Sequence, residues 1–262
     1  MNPILGSLNV HFLPRDVAET DLAGSAVIVI DLLRATSTIS QALASSATEV
    51  IPFLEIEDAV AAANKVGRKN VILGGERRGG KISGFDVGNS PAEYSSKVVG
   101  GKQVFITTTN GTRALHHARL ANRVLAGAFV NLSAVVASLK NEPRVDILCA
   151  GTDRDETRED ILAAGAFVAA LSAHRSCSLN AAAKSALDEW HAVTRAADVN
   201  GRALNDQVAL ELRETQGGRN LIGIGLDRDL IDCAQIDRHT IVPELDIQNW
   251  RIVAPAAENS SR

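Results

Sequence analysis

Val27-Ile28-Val29-Ile30-Asp31, followed by Leu32-Leu33 and then Arg34-Ala35-Thr36-Ser37-Thr38, is an apolar strand running into a carboxylate, an arginine and small hydroxyl residues at a helix start. Two later stretches repeat the arrangement. Val104-Phe105-Ile106 leads into Thr107-Thr108-Thr109-Asn110-Gly111-Thr112, and Val145-Asp146-Ile147-Leu148-Cys149 leads into Ala150-Gly151-Thr152. Near-continuous Val/Ile/Leu runs mark strands buried on both faces, as in a parallel sheet covered by helices. In open α/β sheets ligands bind beyond the carboxyl ends of the strands. Helix N-termini there turn unpaired N–H groups toward anions. Three such strand ends predict an anion-binding floor, with phosphate as the leading ligand.

Working outward, strand patterns at 27–31, 49–53, 71–73, 103–107, 122–126 and 145–149 alternate with helical patterns. The helices fall at 36–46, 56–66, 112–121, 132–141, 159–174, 181–197, 203–215 and 228–234. This order predicts an α/β fold with a mostly parallel or mixed central sheet. Segment 8–13 reads as an added edge strand and Thr240-Ile241-Val242 as a late one. From about residue 176 the chain is largely helical, and the tail 256–262 reads as loose. With no linker or internal repeat in view, residues 1–262 read as one domain. The glycine-rich stretch from Gly74 to Pro91 is long for a plain connection, and Ile82 and Phe85 give it something to bury. It is expected to be an ordered loop at the site.

Composition removes several classes. A net charge of -4 supplies no basic footprint for nucleic acid, and 3% aromatics supply no stacking platform. The longest apolar run, Ile161 to Leu171, is too short to span a bilayer, and Met1 to Leu5 lacks the basic start of a signal peptide. The odd, scattered Cys149, Cys177 and Cys233 fit neither a disulfide framework nor a zinc site. The expectation is a cytoplasmic protein with neither a nucleic-acid nor a membrane partner.

Known phosphate chemistries can be tested by spacing. Gly80-Lys81 falls out of register with Gly74 and Gly79 for a Walker A loop. No Gly-x-Gly-x-x-Gly follows the first strand. An Asp-x-Asp nucleophile–acid pair fails because Leu33 stands two residues after Asp31. A Cys-x5-Arg phosphatase loop fails because Asp155 stands where the arginine is needed after Cys149. What remains is a set of carboxylates, hydroxyls and arginines, as in metal-assisted hydrolysis of a phosphate ester. Mg²⁺ takes one or two carboxylates plus waters and substrate phosphate. Asp31, Glu76, Asp86, Glu159 and Asp160 are the candidates, with Arg34 and Arg77 as oxyanion clamps.

Each residue also has a plainer reading. Asp31 can pair with Arg34, and Glu76 with Arg77 on a solvated loop. Asp86, Asn89 and Ser90 favour turns and caps, with Ser90-Pro91 a helix-start pair. Thr157-Arg158-Glu159-Asp160 fits a capping box. Cys149 reads as a buried small side chain, and His116-His117 as packing or exposed histidines.

The chain resembles the 2-phosphosulfolactate phosphatase family. The resemblance rests on Val29 to Ile39, on Gly75-Glu76-Arg77 with Gly84-Phe85-Asp86-Val87-Gly88-Asn89-Ser90-Pro91, and on Thr107 to Thr112. It continues through Cys149-Ala150-Gly151-Thr152, Glu159-Asp160 and Asp232-Cys233-Ala234. Departures fall at Arg78-Gly79-Gly80 and at the charged run Asp153 to Arg158, in loops that select substrates. The resemblance implies a three-layer α/β/α fold and a homo-oligomer, a dimer being favoured. It also implies a Mg²⁺-dependent phosphatase for phosphate esters of 2-hydroxy acids, foremost 2-phospho-3-sulfolactate. The catalytic set is then Asp31, Arg34, Glu76 and Arg77, and the metal set Asp31, Glu76, Asp86 and Asp160. Substrate binding falls to Thr36, Ser37, Asn89, Ser90, Thr108, Thr109, Asn110, Gly111, Thr112, Gly151 and Thr152. A non-catalytic sensor of phosphorylated or sulfonated acids is the alternative; a nucleotide-dependent transferase lacks a phosphate loop.

Overall fold

All five residues of Ala26–Ile30 are buried. Ile28 and Ile30 join one apolar cluster while Val27 and Val29 join another, so the strand is covered on both faces. The computed structural model describes residues 6–254; the readings made for Met1 to Leu5 and for the tail 256–262 lie outside it. The strands are β1 (Gly6–His11), β2 (Ala26–Ile30), β3 (Glu49–Pro52), β4 (Val71–Arg77), β5 (Gly80–Lys81), β6 (Gln103–Thr107), β7 (Arg123–Ala126), β8 (Arg144–Cys149), β9 (Cys177–Leu179), β10 (Glu244–Asp246) and β11 (Arg251–Val253). The helices are α1 (Ala35–Ala44), α2 (Ile56–Val66), α3 (Ser96–Val99), α4 (Gly111–His117), α5 (Leu132–Leu139), α6 (Arg158–His174), α7 (Ala181–Val199), α8 (Leu204–Glu214), α9 (Gln216–Gly223) and α10 (Arg228–Cys233).

The strands form one sheet in the order β5-β4-β6-β3-β11-β10-β7-β2-β8-β1-β9. β4, β6 and β3 are parallel to one another, as are β7, β2, β8, β1 and β9. The antiparallel hairpin β10–β11 joins the two blocks and reverses their direction. Strand ends from both blocks nevertheless meet. Neighbouring strands rotate by roughly 20–25°, so the five steps from β6 to β2 accumulate on the order of 100° of twist and turn nominally opposed strands toward each other.

Helices cover both faces, giving a three-layer α/β/α fold. On one face α1 and α4 bury Ile39, Ala42, Ala114 and Leu115 against residues of both blocks, among them Val29, Val50 and Val104. On the other, α2 sets Ala59 and Ala63, one turn apart, against Val71, Leu73 and Phe105, and α5 to α8 pack over β1, β2 and β8. The apolar run Ile161 to Leu171 lies in α6, which is sandwiched between the sheet and α7 and is therefore apolar on nearly every side.

Two strand expectations need correction. β1 is not at the edge, because β9 pairs beyond it, Gly6 opposite Cys177. β9 has three residues, too few to display a period. Thr240-Ile241-Val242 is not a strand. Ile241 packs into the core there, Ala126 N donates to the Pro243 carbonyl, and pairing starts only at Glu244. Tertiary context overrides β-propensity at this point. The stretch from Gly74 to Pro91 is ordered as expected: it turns through β5, buries Ile82 and Phe85, and returns beside β4.

Candidate active site

A cavity of about 540 Å³ opens beyond the carboxyl ends of β2, β4, β6 and β8. Asp31, Arg34, Glu76, Asn89, Thr109, Asn110 and Thr152 all line it. The close approach of α4 to Asp31 requires glycine at 111. A Cβ there would lie 2.5 Å from Ala35 Cβ and 2.7 Å from Asp31 Oδ2. Glu76 ties two segments together: Oε1 accepts from Thr109 N at 2.7 Å and Oε2 from Gly79 N at 2.8 Å.

Asp31 caps α1, its Oδ1 accepting from Ala35 N at 3.1 Å. Burial pushes its carboxyl up to about 6; Ala35 N–H and Arg34 oppose the rise, while the charges of Glu76 and Glu159 add to it. Asp160 lies beneath it, accepting from Leu32 N at 2.8 Å and Gly151 N at 3.1 Å, and so clamps the ends of β2 and β8 together. Burial raises Asp160 well above the ordinary carboxylate range, with Asp31 and Glu159 pushing the same way. Burial likewise raises Glu159, whose Oε2 is buried without a partner.

Arg34 is the buried cation of the site. Its Nη1 donates to Asp229 Oδ2 at 2.7 Å and to Ser90 Oγ at 3.0 Å, and Nη2 donates to the Gly79 carbonyl at 2.7 Å. Ser90 Oγ in turn donates to Asp229 Oδ2 at 2.7 Å. Three of the five guanidinium donors are thereby engaged, which fixes the plane of the fork and leaves the Nε–H and one Nη2–H. Asn89 Oδ1 and Thr109 Oγ1 are buried without partners on residues that line the cavity. Buried polar atoms ordinarily have partners, so these two are available to a ligand.

The 2-phosphosulpholactate phosphatase family model matches residues 11–248. This chain belongs to that family. A probable 2-phosphosulfolactate phosphatase of Clostridium tetani is 37% identical over 232 residues, covering 87% of this chain and 93% of the relative. Another so named, from Pseudothermotoga lettingae, is 37% identical over 236 residues, covering 90% and 94%. A third, from Clostridium beijerinckii, is 36% identical over 231 residues, covering 87% and 92%.

Within this 2-phosphosulfolactate phosphatase fold several expected site residues serve as supports beside the cavity. Arg77 does not line it; its Nη2 donates to Thr107 Oγ1 and the Leu54 carbonyl. Asp86 lies away from the other carboxylates, bonded to Arg68 and to Leu73 N at 2.8 Å. The hydroxyls of Thr36 and Ser37 donate to the carbonyls of Asp31 and Leu32. Thr108 and Thr112 satisfy each other across the start of α4. Gly151 gives its amide to Asp160. Short hydroxyls at strand ends serve caps as readily as ligands, and spacing alone does not separate the two.

Sequence reasoning missed Asp229 in α10 and the whole of α9, whose Arg219 and Asn220 line the cavity. Asp229 was legible only as an acid in the first turn of a short helix. The one earlier pointer to this region was the family-like Asp232-Cys233-Ala234 three residues on. Cys149 is fully buried and its thiol is raised, by burial first, so it supplies no ready thiolate.

The donor set fits Mg²⁺. Every candidate ligand is an oxygen, and among the described residues no three His, Cys, Asp or Glu side chains are grouped as a preformed cage. Mg²⁺ uses no such cage, taking one or two carboxylates and keeping waters. Burial is the first cause of the raised carboxyls of Asp31 and Asp160, and neighbouring carboxylates add to both shifts, a repulsion that a divalent cation beside Asp31 would offset.

Proposed function

We propose that this chain hydrolyses, with Mg²⁺, the phosphate monoester of a 2-hydroxy acid, 2-phospho-3-sulfolactate giving 3-sulfolactate and phosphate. The observation that carries the reading is the meeting of Asp31, Glu76 and Arg34 on one cavity floor in a chain of this family. A phosphate brought to such a floor meets like charge: two unit charges 4 Å apart repel by about 4 kcal/mol at an effective dielectric of 20. Asp31 and Glu76 are the residues to hold Mg²⁺, which when bound offsets charge on the phosphoryl oxygens.

The remaining work belongs to the protein. Arg34 presents its unengaged Nε–H and Nη2–H to non-bridging phosphate oxygens, held in place by Asp229 and Ser90. Thr109 Oγ1 can donate to a phosphate oxygen, and Asn89 Oδ1 accepts from ordered water or, after hydrolysis, from the product alcohol. In the net reaction the ester P–O bond breaks, a P–O bond to a water oxygen forms, and one proton of that water ends on the alcohol. Most of the acceleration comes from charge placed before reaction rather than from covalent chemistry.

The test is phosphate release from 2-phospho-3-sulfolactate by purified protein with Mg²⁺, repeated after exhaustive chelation. Release that survives chelation in full removes the metal. Thermal stabilisation by the ester with no release would mark a sensor instead. A cytoplasmic homodimer completes the reading, tested by light scattering of the eluted protein and by fractionation of cells. Among the described residues no helix is long and apolar enough to cross a membrane.

A further inference from the structure

We propose that Arg78 and Arg219 form a second anion subsite at the rim of the cavity, which reads the acid groups of the substrate beyond its phosphate. This rests on the phosphatase reading above and deepens it. Both arginines line the same cavity as Asp31 and Arg34, although they come from distant parts of the chain.

The placement of Arg78 is the first observation. Glu76 pairs with Lys81 and Arg77 with Gly80, so Arg78 and Gly79 are the two central residues of a tight hairpin. Their φ values are +54° and +79°. A turn with both central residues left-handed favours Asn-Gly or Gly-Gly. Arginine at φ +54° costs roughly 1–2 kcal/mol relative to glycine. A costly residue held in place calls for a reason outside the turn. The hairpin is also pinned to the site itself, since Gly79 N donates to Glu76 and the Gly79 carbonyl accepts from Arg34. Wherever Glu76 and Arg34 are set for phosphate, Arg78 is set beside them.

The second observation is charge. Among the described residues neither Arg78 nor Arg219 has a carboxylate ion-pair partner. Arg34, by contrast, is neutralised by Asp229. Arg219 is held by the end of the preceding helix, one Nη1 donor going to the Glu214 carbonyl. Two unpaired guanidiniums at the rim match an ester carrying two further acids, a carboxylate and a sulfonate, through forked donors. The preferred class is therefore a phosphate monoester with two additional anionic groups.

The experiment compares kcat/KM for 2-phospho-3-sulfolactate with that for 2-phospholactate, which lacks the sulfonate, in wild type, Arg78→Gly, Arg219→Ala and the double variant. Glycine suits φ +54° better than arginine, so Arg78→Gly is expected to unfold no earlier than wild type. A loss of recognition there is separable from a loss of fold. Losing a charge-assisted hydrogen bond lowers binding by about 10- to 100-fold. The ratio of the two kcat/KM values is expected to fall by about tenfold or more in at least one single variant, and further in the double. The loss should be carried mainly by KM, with Arg78→Lys intermediate. A ratio unchanged in all variants, with wild type active on both esters, overturns the subsite alone. Wild type inactive on both esters overturns the phosphatase reading, and the subsite with it.

Discussion

Asp229→Asn removes one charge and almost no volume from the most buried ion pair of the site. The side chains of Arg34 and Asp229 are 2% and 4% exposed and lie 2.7 Å apart, so solvent does little to screen them. Removing one partner of a buried pair leaves the other charge uncompensated, at a cost of about 3–5 kcal/mol. Ser90 Oγ loses a charged acceptor as well. At about 2.1 cal/mol/K per residue, unfolding this chain releases roughly 0.55 kcal/mol/K. The penalty therefore corresponds to a Tm lower by about 5–9 °C, read by calorimetry or by circular dichroism on heating. Activity should fall as well, because the freed guanidinium no longer holds its Nε–H and Nη2–H toward phosphate. We expect kcat/KM to drop by more than about tenfold, with a double-mutant cycle against Arg34→Met showing strong coupling. A Tm within about 2 °C of wild type and unchanged kcat/KM would refute the argument that this pair both anchors α10 and aims Arg34.

Asp31→Asn is expected to abolish phosphate release while the circular dichroism spectrum stays that of wild type. The same variant has a stability signature. Because the folded carboxyl is raised from 3.8 to about 6, its contribution to stability is complete below about pH 4 and is lost as pH rises through 6. Above that, in metal-free protein, Asp31→Asn should melt later than wild type, and the difference should vanish near pH 4; equal Tm values across the range would show that burying the Asp31 carboxylate carries no penalty. Gly111→Ala places a methyl 2.7 Å from Asp31 Oδ2 and is expected to cost about 1–3 kcal/mol by overpacking and to depress kcat. Full activity in that variant would show that α4 does not set the position of Asp31.

The fold was largely legible because its strands follow a simple rule. Runs such as 27–31 and 145–149, covered on both faces, carry no alternation and could be taken at face value. Helices with a clear apolar stripe were equally plain, and α2 falls at 56–66 as expected. The β10–β11 hairpin was hidden because each strand has three residues and is held by neighbours far away in sequence. At the site, Asp31, Glu76 and Asn110 were found by position at strand ends. Asp86 was misplaced because an acid in a glycine-rich loop looks the same whether it meets a ligand or Arg68. Asp229, Arg78 and Arg219 acquire meaning only from what lies across space from them. No spacing rule links a hairpin tip and a C-terminal helix to the end of β2.

The most direct measurement is steady-state phosphate release from 2-phospho-3-sulfolactate with Mg²⁺, run side by side for wild type and Asp31→Asn at pH 7. Saturable release by wild type and none by the variant is the expected result. A folded wild-type protein that binds the ester and frees no phosphate, or an Asp31→Asn variant as active as wild type, would contradict it.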